Sequence, residues 1–228
     1  MLLLATTWVT VTYGGAPKPD SETATAPVAQ FLARQHGVPP HRATRRLVAS
    51  GGSQSGWMQV ATVYSPHAGF HYEVTDEGGS SYVRTKVLRA LLESERQLIG
   101  KGESARSAFV PANYTFGSVG HDPSGLATVR LSPRRKDPEL VAGTLFLQPD
   151  TGDIVRLEGQ LARSPSFWIK RVNIVRTYER VGGVVLPVLL ESQAELRMLG
   201  RATLRMTYDY AEIDGRAVTA ARQALAAY

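Results

Sequence analysis

Apolar residues recur along the chain with two periods, and the switches between them divide it into elements. Val28, Phe31 and Leu32 stand at i, i+3 and i+4 behind Pro27 and ahead of Gly37, which predicts a short amphipathic helix. From residue 41 the period falls to two. Residues 41–49, 57–64 and 69–75 are rich in β-branched and aromatic side chains, and in the third run Phe70, Tyr72 and Val74 share one face while His71, Glu73 and Thr75 share the other. Gly51-Gly52 and Ser65-Pro66 separate these three predicted antiparallel strands. Between Arg84 and Ile99 the period returns to that of a helix: Val87, Leu88, Leu91, Leu92, Leu98 and Ile99 form a stripe opposite Arg89, Glu93, Arg96 and Gln97, and Gly100 and Gly102 end it. Arg89 and Glu93 are an i,i+4 pair of opposite charge, expected to contribute about 0.3 kcal/mol.

Beyond Asn113 the strand signal is nearly continuous. The predicted strands are 113–119, 126–132, 142–148, 153–162, 167–179, 184–197 and 202–212, with turn chemistry at Pro149-Asp150-Thr151-Gly152, Gly182-Gly183 and Leu199-Gly200. Connections this short make antiparallel hairpins, because a parallel crossover needs a dozen residues or more. Val184, Leu186, Val188, Leu190, Ala194 and Leu196 fall on one face of their strand, and Leu204, Met206, Tyr208 and Tyr210 on one face of the last. The fold class expected is mainly β (α+β): a single strongly curved antiparallel sheet with the helix in its concavity, the shape of a container. Residues 1–26 read as an export-signal remnant and linker, 27–216 as the folded domain, and 217–228 as a C-terminal helix or tail.

Composition narrows the function classes. A chain of 228 residues with 43% hydrophobic and 20% charged side chains has the balance of a folded domain. The absence of Cys removes disulfides, thiolate metal sites and Cys nucleophiles. Net charge is +6, spread as +2 over residues 1–125 and +4 over 126–228, so no basic stripe of the kind nucleic acid requires is present and no nucleic-acid partner is expected. Arg134-Arg135-Lys136 lies between Pro133 and Pro138 and reads as a solvated turn. Met1 to Val11 is apolar and uncharged, with small residues at Gly14-Gly15-Ala16 and Ala24-Thr25-Ala26, the layout of a secretory h-region and cleavage zone, and an ordinary first strand is its rival.

Candidate catalytic motifs fail one by one. Around Ser53 the nucleophile-elbow spelling lacks its last Gly and a strand follows. Gly100, Gly102 and Ala105 spell a dinucleotide motif behind a helix instead of a strand, so they read as a helix end. His67 and His71 fall in a strand, where their spacing separates the side chains by about 13 Å, too far to share a metal. His121-Asp122 is a turn-like pair with no visible nucleophile. Glu191 and Glu195 share a strand face and read as solvated carboxylates with cross-strand Arg partners. No cofactor and no metal is expected. What remains is an apolar inventory that either packs a core or lines a cavity.

Ser80-Ser81-Tyr82-Val83-Arg84, the helix Val87 to Arg96, Gly143 to Pro149 with Thr151-Gly152-Asp153, Ser164-Pro165-Ser166-Phe167-Trp168, and Val185-Leu186-Pro187 with Glu191-Ser192 carry a resemblance. Over residues 40–213 the chain resembles the periplasmic lipoprotein carrier superfamily (LolA/LolB-like, with the RseB-like sensors). The resemblance implies a half-open β-barrel closed by helices, located in the periplasm of a Gram-negative-type bacterium and holding acyl chains or a lipidated protein. In that superfamily an arginine of an early strand is tied to lid opening; Arg45, Arg46 and Arg84 are candidates, and the sequence does not choose among them. The reading that follows is a non-enzymatic carrier with an acyl lipid or lipoprotein as partner and transient membrane-surface contact. Its lipid-binding residues are Leu88, Leu91 and Leu92 on a lid and Trp57, Phe70, Tyr72 and Trp168 on the sheet. The alternatives are an envelope protein-interaction or stress-sensing module with a packed interior, and a hydrolase using His121 or the Ser53 loop.

Overall fold

The computed structural model describes residues 26–34, 37–198 and 200–218, so the expected export signal and most of the C-terminal tail lie outside the described residues. The elements are α1 (Ala26–Ala33), β1 (His41–Gly51), β2 (Gln54–Ser65), β3 (Gly69–Gly79), α2 (Ser81–Val83), a π-helical stretch Arg84–Arg89, α3 (Ala90–Gly100) and a 3-10 turn Glu103–Ser107. After them come β4 (Tyr114–His121), β5 (Ala127–Pro133), β6 (Val141–Leu147), β7 (Ile154–Leu161), β8 (Ile169–Val181), β9 (Val184–Leu196), β10 (Gly200–Ile213) and β11 (Arg216–Ala217). The strands and helices expected between residues 27 and 213 are all present, each within a few residues of its sequence limits.

The strands form a single antiparallel sheet in the order β3-β2-β1-β10-β9-β8-β7-β6-β5-β4, with β11 beside β10. Two meanders, β1–β3 and β4–β10, are joined where β1 pairs with β10 from His41↔Ile213 to Gly51↔Ala202. β3 and β4 therefore stand at opposite ends of the strand order, and the sheet is not closed. The chain must pass from one edge to the other between these strands, and it does so through the helical segment 81–107. That connection packs across β1, β2 and β3 and makes one face of the sheet a buried one.

Alternation sets what lies on that face. In β1 the residues His41, Ala43, Arg45, Leu47 and Ala49 are buried and those between them exposed. Their counterparts include Met58 and Val60 of β2, Leu190 of β9 and Leu204, Met206, Tyr208 and Tyr210 of β10. These apolar residues, Leu88, Leu91 and Leu92, and the inward residues of β5 to β8 belong to one continuous cluster. α1 joins it through Val28 and Phe31, the Phe31 ring lying 6.3 Å from those of Phe109 and Phe116. Gly143 and Gly159 face each other across β6 and β7, and a Cβ on either would run into a carbonyl of the facing strand.

Two local expectations change. Arg89 does not pair with Glu93. The π-helical stretch spaces Arg84 and Arg89 one wide turn apart, and both reach Glu77 of β3, at 2.6 and 2.8 Å. Glu93 instead accepts from the Tyr72 hydroxyl and from Arg96. Arg134-Arg135-Lys136 is more than a solvated turn: Arg134 donates to the Pro111 carbonyl, and Arg135 to the Asn113 side chain, the Arg106 carbonyl and Asp137, tying the strand end to the 3-10 segment.

Candidate functional site

The covered face carries charges where its alternation calls for apolar residues. Arg45 occupies an inward position of β1, and its guanidinium is wholly buried. Glu95 of α3, equally buried, receives Arg45 Nη1 on both carboxylate oxygens, at 2.8 and 3.1 Å. The rings of Phe70 and Tyr208 flank the same guanidinium at 4.7 and 4.8 Å. Arg176 of β8 is also buried, within electrostatic reach of Tyr178, Tyr208 and Glu95. Burial opposes the charge on each arginine. For Arg45 the Glu95 carboxylate more than offsets that opposition, with help from Tyr208 and Tyr210, and its pKa is raised. Burial likewise raises the phenols of Tyr178, Tyr208 and Tyr210. The site is thus a pair of cations and one carboxylate sealed between aromatic rings, with the helix pinned to the sheet through Glu95.

His41 lies at one end of this cluster, between the rings of Tyr64 and Tyr210, at 5.3 and 5.4 Å, and its Nδ1 donates to the Pro39 carbonyl. Burial, with the nearby charge of Arg45, pulls its pKa down to about 4 from 6.5, against the Pro39 hydrogen bond that raises it. The unfolded chain then binds the proton first as pH falls through 6.5, so the stability His41 contributes is complete above that value and is lost on acidification towards about 4. At about 1.4 kcal/mol per pH unit, the loss is expected to reach about 3 kcal/mol at pH 4. Urea titrations between pH 7 and pH 4 check this: His41→Phe should flatten that part of the profile, and an unchanged slope would show that His41 does not set it.

The predicted site residues divide. Leu88, Leu91 and Leu92 are fully buried beneath the helix, Phe70 is buried against Arg45, and Tyr72 is half-buried. Tyr72 lines a groove of about 290 Å³ with His71, Val74, Arg89, Glu93 and Arg96, and burial together with its bond to Glu93 pushes its phenol up to about 12. Trp57 and Trp168 do not join them. Trp57 has the parity opposite to Met58 and Val60, so it faces away from the helix, under the Arg46 guanidinium at 4.8 Å. Trp168 sits on the loop between β7 and β8 and is 60% exposed. Glu95 is the residue sequence reasoning missed, although it continues the Leu88, Leu91 and Leu92 stripe; Arg45, one of the three arginines left open, is the one that shares the inward parity of Ala43 and Leu47.

The catalytic candidates have other duties. Asp122 accepts from the Ser124 hydroxyl and from the Ser124 and Leu126 amides, bonds that hold its carboxyl below the ordinary range and commit it to the turn instead of to His121. Ser53 is exposed in the β1–β2 turn. Glu191 and Glu195 lie on the open face and pair with Arg205 and Lys170, as cross-strand partners should. Among the described residues no group of three His, Asp or Glu could hold a metal, and no helix is long and apolar enough to cross a membrane.

No family model matches the chain, and no curated protein is significantly similar to it. Among solved structures, it is similar to the crystal structure of a DUF1329 family protein from Desulfovibrio piger, over 80% of this chain and 88% of that one, with 7% sequence identity and a TM-score of 0.38.

Proposed function

We propose that the chain is a non-enzymatic carrier or binding protein of the bacterial periplasm, whose sheet is a curved half-open barrel and whose segment Ser81–Gly100 is a lid held closed over the site of a lipid or lipoprotein acyl chain. The Arg45–Glu95 pair carries this reading. A helix meant to stay in place gains more from apolar contact than from a buried ion pair, because each ion gives up its hydration to enter the core. That hydration is recovered when the helix lifts. The pair therefore fixes the register of the closed lid while adding little to the work of opening it. Of the three arginines that the resemblance to the lipoprotein carriers leaves open, Arg45 alone reaches the helix from the sheet, and we assign it the lid role; Arg46 stacks on Trp57 and Arg84 belongs to the lid itself.

In this reading an incoming chain displaces Leu88, Leu91 and Leu92 from the sheet and gains about 0.8 kcal/mol per methylene buried. The full burial of those leucines favours the rival reading, an envelope protein-interaction or stress-sensing module with a permanently packed interior. Native mass spectrometry of the full chain, made by periplasmic expression without detergent, separates the two. A discrete added mass that extracts as lipid, and saturable uptake of a fluorescent acyl probe, are expected for a carrier. A clean apo mass with no probe uptake would transfer the function to the interaction module.

A further inference from the structure

The loop between β7 and β8 and the turn between β9 and β10 stand side by side at one end of the sheet, and they expose what a folded chain normally hides. Phe167 is 74% exposed, Trp168 60% and Met198 78%. They are held in place. The Arg197 amide donates to the Trp168 carbonyl at 3.0 Å and its Nε to the Phe167 carbonyl at 2.7 Å, its guanidinium lies 5.1 Å over the Phe167 ring, and the two aromatic rings meet edge to face at 5.5 Å. A rigid pair of aromatics left in water is apolar area kept available for something else.

The charge around them is one-sided. Arg163, Lys170, Arg171, Arg197 and Arg201 are exposed on these two segments, and residues 162–171 and 196–204 contain no Asp or Glu. The neighbouring carboxylate, Glu195, stands in register between Arg171 and Arg201 and bonds Lys170, and those cations hold its pKa below the ordinary range. We propose that this end of the sheet docks on an anionic phospholipid bilayer, with Phe167, Trp168 and Met198 in the headgroup layer and the five cations on lipid phosphates. Aromatic and sulfur side chains suit the apolar boundary of that layer, and basic residues suit its charge. Stacking on nucleic-acid bases would need ring faces opened towards a groove, whereas here Phe167 is capped by Arg197 and meets Trp168 edge-on. The tip stands independently of what the chain carries.

Vesicle co-sedimentation of the full chain tests it, using phosphatidylcholine vesicles with and without about 30% phosphatidylglycerol in about 0.1 M salt. Partitioning at least about tenfold stronger onto the anionic vesicles is expected, reduced about tenfold or more by F167S/W168S and by R171E/R197E, and weakened by salt. Thermal melts of F167S/W168S should match the parent, since both side chains are exposed, and acyl-probe uptake should be unchanged. No partitioning of the parent, or equal partitioning of parent and variants, would overturn the proposal. So would binding of a single-stranded oligonucleotide or an acidic protein in preference to the anionic vesicles.

Discussion

Replacing Glu95 by Gln is expected to lower the stability of the fold by about 3–5 kcal/mol, read as a fall in the urea midpoint at unchanged slope. The magnitude follows from position: the carboxylate is wholly buried, is bonded by Arg45 through both oxygens, and lies within electrostatic reach of Arg176. Its loss strips Arg45 of its bonded carboxylate and Arg176 of a weaker electrostatic partner. Arg45→Met should cost less, because Glu95 keeps Arg176 as a counter-charge. That asymmetry is the sharper test, and equal losses for the two variants would show that Arg176 and Glu95 are not coupled. Replacing all three by Met and Leu is expected to be neutral or to stabilise by about 1–4 kcal/mol, since the desolvation of three charges disappears together. If the pair is a latch, that triple variant keeps or gains stability and loses acyl-probe uptake in the same step.

Much of this architecture was legible in the sequence, because strand period, helix period and turn residues report on short stretches that each satisfy themselves. The faces of β3, β9 and β10 follow from parity alone. The placement of Trp57 was legible too: Trp57, Gln59, Ala61 and Val63 form the wetter parity of β2, against Met58, Val60, Thr62 and Tyr64. What a single sequence does not carry is competition between elements. Arg89 has an acidic neighbour one helical turn away, but Glu77 of β3 outbids it, because the π-helical stretch brings Arg84 to the same carboxylate. Arg45 and Glu95 are separated by 50 residues, and each alone reads as a charge that ought to face water. Only the pairing of β1 with β10 and the passage of the helix across that face make them partners. Trp168 is the reverse case, an aromatic residue in a strand-like run that the fold leaves outside.

The helix leucines give the second large effect. Leu91 is fully buried, so a charged residue there cannot be accommodated on a folded surface, and Leu91→Glu is expected to unfold the domain instead of only weakening ligand binding. Leu91→Ala keeps the fold and should cost about 2–5 kcal/mol, the lost transfer energy together with the cavity it leaves. Its consequence separates the two functional readings. If the helix is a lid, the packing that Leu91 provides belongs to the closed state, and about 2 kcal/mol removed from that state raises the open population about thirtyfold. Acyl-probe association, slow in the parent because the lid must lift first, should accelerate accordingly in stopped-flow mixing while the chain as a whole becomes less stable to urea. In a permanently packed module the same substitution lowers stability and leaves the probe unbound. A faster association in a less stable protein is the combination expected of a hinged helix, because there the apolar stripe is both part of the core and the part that moves.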